Sequence, residues 1–190
     1  QLNFLKKMLP QDKTLFTAEP TDSVTGKFLR SILRGDMELD PGTTAFLFAA
    51  DRHEHLHCPG GIIETCNNGG ITVTDRYLFS SLAYQSASCG EALPRLLNST
   101  FPLPEYLFFF DIEPSLSLKR ISGRGVTEIY EKQDFLEKTA AEYRKVIKEF
   151  QETAKETGMN IIILDASKPV AEVSEKIWSI IGRNILSKTR

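Results

Sequence analysis

Three stretches of this 190-residue chain combine residue types and spacings that could do chemistry. In "TVTDRY", an apolar strand pattern ends in Asp75 and Arg76. A carboxylate there can sit near a phosphate-bound magnesium ion, and a guanidinium can clamp a phosphate with two parallel donors. An ordinary strand-end salt bridge accounts for the same pair. In "FAADR", Phe48 and Arg52 are four residues apart and share a face if the segment is helical. Such a face could stack an aromatic ring on a nucleobase while Arg52 offers planar donors to its edge. The competing reading makes Phe48 a core residue and Arg52 a solvated one. In "KRISGRGVTEIYEKQDF", Arg120 and Arg124 repeat the four-residue spacing, and Gly123 and Gly125 flank Arg124. A basic, glycine-flanked turn beside a binding edge suits a lid over triphosphate. An exposed loop with surface arginines is the plain alternative.

A fourth stretch, "HEHLH", fits the H-E-x-x-H pattern through His53, Glu54 and His57. Two His one turn apart can bind zinc while the Glu acts as base, but a third ligand is required. The extended pattern puts Ile63 where its His should be, and Pro59–Gly61 break the helix before Glu64 and Cys66. The zinc reading is set aside, and the polar residues are read as the outer face of a helix.

The elements that must position these groups alternate between strand and helix. The leucines at 2, 5 and 9, with Phe4 and Met8, predict an opening helix without a capping residue. Thr14–Ala18 is read as a strand, and Val24–Leu33 as a helix ending at Gly35. A helix follows Pro41–Gly42, capped by Thr43 or Thr44, and runs to about His57. "ITVTD" is a strand by its β-branched content. "YLFFFD" (Tyr106–Asp111) and "NIIILD" (Asn160–Asp165) are apolar on both faces, as strands covered on both sides must be. Helices are predicted from Pro114, over about Asp134–Thr157, and over Pro169–Leu186. The pattern predicts an α/β fold, a parallel sheet wrapped by helices. Its strands share a carboxyl edge where ligands bind. All four strand ends are polar: "AEP", "TDRY", "FDIEP" and "LDASKP".

These motifs, with "TAEPTDSVTGKFLRSIL", "FLFAADRHEH", "GITVTDRYLFSSLAYQ", "FFFDIEPSLSLKRISGRG" and "EIYEKQDF", resemble the successive signatures of thymidylate kinases. The resemblance runs in order along essentially the whole chain. It implies the three-layer fold of the P-loop nucleotide kinases, with ATP as donor, Mg2+ as cofactor and dTMP as acceptor. By the same resemblance Phe48 stacks on thymine, Arg52 reaches the base edge and Arg76 holds the monophosphate. Asp75 lies near the magnesium and phosphates, contacting the metal indirectly. Glu19 and Pro20 form the loop approaching the substrate phosphate. Ser81 and Tyr84 line the nucleoside pocket, Tyr84 where a 2′-hydroxyl would collide. Tyr130 and Glu131 close over the nucleoside. Arg120, Arg124, Ala166 and Lys168 fall at the ATP side, and a homodimer formed by helix packing is implied.

There are departures from the family pattern. Ala18 stands where many members have Arg, and no Arg or Lys occurs between Gly125 and Tyr130. No G-x-x-x-x-G-K-[ST] loop, nor the strand before it, precedes "QLNFLKKML". That loop cradles the donor phosphates. The expectation is a sheet with its first central strand missing, a gap flanked by unpaired edges, and a natural chain longer by roughly 15 to 20 residues. The alternatives are a noncatalytic dTMP-binding homologue, or a kinase for another deoxynucleoside monophosphate.

Composition adds boundaries. Residues 1–190 are read as one domain, with a short lid at about 120–133. The net charge of −2 gives no general reason to expect nucleic acid as a partner, and no apolar run reaches a membrane span. Cys58, Cys66 and Cys89 form no C-x-x-C and leave an odd thiol, which fits a reducing cytoplasm. The "NST" beginning at Asn98 matches a glycosylation sequon and is read as a chance match in the absence of a secretory signal.

Overall fold

A computed structural model describes residues 1–121 and 133–188. The chain alternates as α1 (Leu2–Met8), β1 (Thr14–Ala18), α2 (Val24–Leu33), α3 (Pro41–His57), α4 (Ile62–Asn67), β2 (Ile71–Asp75), α5 (Leu78–Cys89) and α6 (Ala92–Asn98). It continues with β3 (Tyr106–Asp111), α7 (Pro114–Ile121), α8 (Gln133–Thr157), β4 (Asn160–Asp165) and α9 (Val170–Lys188).

The strands form two parallel pairs. β1 pairs with β2, from Thr14 opposite Ile71 to Ala18 opposite Asp75. β3 pairs with β4, from Tyr106 opposite Asn160 to Asp111 opposite Asp165. Side chains alternate between the two faces of a strand, and each face has its own helices. Leu107 and Ile161 pack into a core with Leu56, Leu78, Phe79, Leu82 and Val146, contributed by α3, α5 and α8. Tyr106, Phe108, Ile162 and Leu164 turn the other way, with Phe16 and Val73, onto Leu5, Val173, Ile177 and Ile181 of α1 and α9. The α1 and α9 layer therefore covers strands of both pairs, which makes a three-layer α/β arrangement.

β2 and β3 are not paired with each other. A cavity of about 1340 Å³ lies between them, lined by Ile71–Asp75 on one side and Tyr106–Asp111 on the other. Among the described residues the two strand pairs thus face each other across open space.

Two sequence expectations need correction. The cap of α3 is Asp40, whose side chain accepts from the Thr43 N–H, not Thr43 or Thr44. Pro41 occupies the first turn, where its missing N–H costs nothing, and this moves the helix start upstream. Helices α4, α5 and α6 had no boundaries assigned from the sequence pattern. α5 buries Leu78, Phe79, Ser81, Leu82, Ala83 and Gln85, so it has no single apolar stripe to read.

The loop from Glu19 to Ser23 is clamped onto α2 and α3. Asp51 accepts from the Thr21 N–H (2.8 Å), the Thr21 hydroxyl (2.6 Å) and the Ser23 hydroxyl (3.0 Å). Ser23 caps α2. Arg30 donates to the carbonyls of Pro20 (2.6 Å) and Thr21 (2.9 Å). Gly26 permits this approach, because a Cβ there would lie 2.1 Å from the Thr21 carbonyl oxygen. No helix among the described residues is long and apolar enough to cross a membrane.

Candidate active site

The site is built where β1 and β2 end. The Glu19 N–H donates to the Asp75 carbonyl (3.0 Å), so the two polar strand ends are tied together. Arg76 follows with φ of 69°, a left-handed conformation unusual outside glycine. Strain of this kind tends to be retained where a side chain must point in a particular direction. The Arg76 guanidinium sits over the Tyr84 ring, 5.2 Å from its centroid, on the wall of the large cavity. Desolvation works against its charge, but Tyr143, Tyr84 and Asp75 outweigh that effect, so Arg76 stays protonated.

Tyr143 of α8 completes this wall. Its hydroxyl lies 2.6 Å from the Ser80 hydroxyl, its ring meets Tyr84 edge-on at 5.9 Å and it stacks on Phe109 at 5.5 Å. Burial pushes the Tyr143 phenol up from its ordinary range. The sequence reading did not include Tyr143. Its i, i+4 neighbours Thr139 and Ile147, both buried, mark the inward face of a long charged helix.

Arg52 is 1% exposed, the opposite of a solvated residue. Its Nε and Nη2 donate to Glu19 Oε2 at 3.0 and 2.6 Å, and Nη2 also donates to the Ser81 hydroxyl at 3.0 Å. Nη1 donates to Asn98 Oδ1. The Tyr77 and Phe101 rings lie 5.3 and 5.6 Å from the guanidinium carbon. The other Glu19 oxygen is 3.1 Å from His55 Nδ1, and His55 Nε2 is 2.7 Å from the Thr17 hydroxyl. Phe48, one turn before Arg52, is half-buried and is placed in neither core cluster. Gln85, one turn after Ser81 on α5, is buried, and its Oε1 has no hydrogen-bond partner among the described residues. Neither His55 nor Gln85 was singled out from the sequence.

The structure also brings Arg120 to the β4–α9 loop, where it donates to the carbonyls of Ala166 (2.6 Å) and Ser167 (3.1 Å). Asp165 accepts from the Ser167 hydroxyl and N–H, which holds its carboxyl below the usual range. Lys168 is exposed in the same loop. Arg124, Tyr130 and Glu131, with most of the 120–133 lid, lie outside the described residues.

His53, Glu54 and His57 are exposed on α3, the two His rings 4.5 Å apart. Among the described residues no cluster of three or more His, Cys, Asp or Glu side chains is placed to hold a metal ion. Asp75 is the carboxylate at the end of β2, beside Arg76. That suits a magnesium ion which keeps water and phosphate oxygens as most of its ligands.

Because Arg52 is buried, removing its carboxylate partner strands a charge. Glu19→Ala is expected to lower stability by about 3 kcal/mol in urea unfolding. Combining it with Arg52→Met should recover most of that loss. A Glu19→Ala loss below about 1 kcal/mol would mean that the pair carries no such weight.

The family model described as thymidylate kinase matches residues 1–177. A Treponema pallidum protein named for the same activity is 36% identical over 179 residues, covering 93% of this chain and 85% of the relative. A probable thymidylate kinase of Methanocaldococcus jannaschii is 36% identical over 174 residues, covering 90% and 84%. The thymidylate kinase of Leptospira interrogans serogroup Icterohaemorrhagiae serovar copenhageni is 34% identical over 175 residues, covering 90% and 80%. With the family model spanning nearly the whole chain, and the site assembled on one edge of a parallel α/β fold, this chain belongs to the thymidylate kinase family.

Proposed function

We propose that this chain transfers the γ-phosphoryl group of ATP to the 5′-phosphate of dTMP, giving dTDP and ADP. The observation that carries the reading is a half-buried Phe48 one helical turn from a buried Arg52, which is bonded to Glu19 and so tied to the β2 end that carries Arg76. Phe48 supplies a face for the thymine ring, and Arg52 and Ser81 supply donors at its edge. The unpaired Oε1 of Gln85 supplies an acceptor for a base N–H. Tyr84 lies against the sugar and excludes a 2′-hydroxyl. Glu19 and Pro20 bring the clamped loop towards the monophosphate.

Phosphoryl transfer asks little covalent chemistry of the protein. It needs two anions aligned, their charge neutralised and water kept out. Arg76 neutralises and orients the acceptor phosphate, held in place by Tyr84 and the strained backbone. Asp75 would hold Mg2+ through water, and the ion supplies further charge neutralisation between the phosphates. Arg120, Ala166 and Lys168, with Arg124, form the ATP side; Tyr130 and Glu131 complete the nucleoside side.

The three unpaired cysteines suit a reducing cytoplasm. A homodimer is supported by apolar side chains exposed on three neighbouring helices: Val24 and Phe28 on α2, Phe46 on α3 and Leu96 on α6.

Two experiments on the full natural chain test this function. In an ADP-release assay over dTMP, dUMP, dGMP and dCMP, dTMP should be the preferred substrate, with dUMP roughly 10–200-fold poorer for want of the methyl group. A preference for dGMP or dCMP would overturn the assignment, and dTMP binding without turnover would mark a noncatalytic homologue. Arg76→Ala should lower turnover by about 100-fold or more while the melting temperature changes little. Normal turnover in that variant would remove the phosphate clamp.

A further inference from the structure

We infer that Asn98, at the end of α6, is a positioning residue that aims the one uncommitted N–H of Arg52 at the nucleobase edge. It thereby favours a base with a carbonyl there over one with an amino group. The inference rests on the proposed reading of Arg52 as the base-edge donor.

A guanidinium carries five N–H donors fixed in one plane. The Nε hydrogen and one Nη2 hydrogen of Arg52 go to Glu19, and the other Nη2 hydrogen goes to Ser81. One Nη1 hydrogen goes to Asn98. Among the described residues a single N–H, the second on Nη1, has no partner and is left for a ligand. Its direction is tied by planarity to that of its twin, so whatever receives the twin aims the free donor. That receiver is Asn98 Oδ1.

Asn98 is built for such a task. It is 8% exposed, and its own Nδ2 donates to the Pro94 carbonyl at 2.7 Å, so the amide cannot rotate without losing a bond at both ends. Glu19 grips the opposite side of the guanidinium, and the Tyr77 and Phe101 rings flank it. Without Asn98 the guanidinium would be held from the Glu19 and Ser81 side alone, and Nη1 could swing. The "NST" triplet that begins at Asn98 thus starts with an amide already committed inside the protein.

The chemical consequence is selectivity. A fixed N–H donor gains a hydrogen bond from a ring carbonyl, as in thymine. It meets an N–H instead where cytosine carries its amino group. Loosening the donor should cost dTMP a bond and cost dCMP little.

The test is calorimetric binding of dTMP and dCMP to the full natural chain and to Asn98→Ala, with melting temperatures recorded alongside. The parent is expected to prefer dTMP. In the variant, dTMP affinity should fall about tenfold, dCMP affinity should change little, and the preference should shrink by the same factor. Equal losses for both nucleotides would reveal a merely structural role, and unchanged affinities would remove the inference altogether. Should Asn98→Ala fail to fold, Asn98→Asp gives up the bond to Pro94 but keeps an accepting oxygen, now charged, towards Nη1, and this charge-assisted contact should preserve most of the parent preference; a collapsed preference there would contradict the proposal. A parent without any dTMP preference would instead overturn the functional reading, and this inference with it.

Discussion

Much of this structure depends on one buried ion pair, Arg52 with Glu19, whose side chains are 1% and 3% exposed. Bringing two charges out of water costs several kcal/mol apiece, and a pair of well-packed apolar residues would often stabilise a fold as well or better. What the pair provides is placement. Glu19 follows directly on β1, Arg52 lies on α3, and their remaining bonds reach His55 of α3, Ser81 of α5 and Asn98 of α6. Four elements are brought into register at one point, and each must supply a polar atom there because an unpaired one would be costly. The loop after Glu19 inherits this order through Asp51, one residue before Arg52, which holds Thr21 and Ser23.

The second constraint is the parallel pairing of β1 with β2. It sets Ala18 opposite Asp75, and the Glu19 N–H then bonds the Asp75 carbonyl, so the arginine-bearing turn starts from a fixed place. The left-handed backbone at Arg76 sends its side chain over Tyr84, and Tyr143 of α8 braces Tyr84 from the edge. Arg52 and Arg76, proposed to meet the base and the phosphate, are therefore mounted on one frame. That is what alignment of an acceptor anion requires. The open space between β2 and β3 adjoins this frame and separates the β1–β2 pair from the β3–β4 pair.

"YLFFFD" and "NIIILD" were legible because they are apolar nearly throughout, and "ITVTD" because of its β-branched content. "TLFTA", "ITVTD", "YLFFFD" and "NIIILD" match the observed spans residue for residue. The polar residues closing each of them pointed to the edge where the proposed site lies. α5 was harder to bound, since it buries small polar residues among apolar ones and loses its periodicity. Arg52 could be picked out as a base-edge donor, but not as a buried keystone. Burying an arginine depends on partners 29 to 46 residues away, and local spacing carries no trace of them. For the same reason His55 was hidden inside the zinc-like "HEHLH", and Asn98 inside a sequon. Tyr143 and Gln85 lie on helix faces whose neighbours only the tertiary packing reveals.

The central claim is that dTMP binds on the Phe48–Arg52–Arg76 platform. Its most direct test is the experimental structure of the full natural chain with dTMP bound. The thymine ring should lie against Phe48, with its edge carbonyl on Arg52 Nη1 and its phosphate on Arg76, while the Arg52–Glu19 pair stays intact. Thymine bound away from Phe48, or a phosphate that leaves Arg76 on Tyr84 without touching it, would contradict the account.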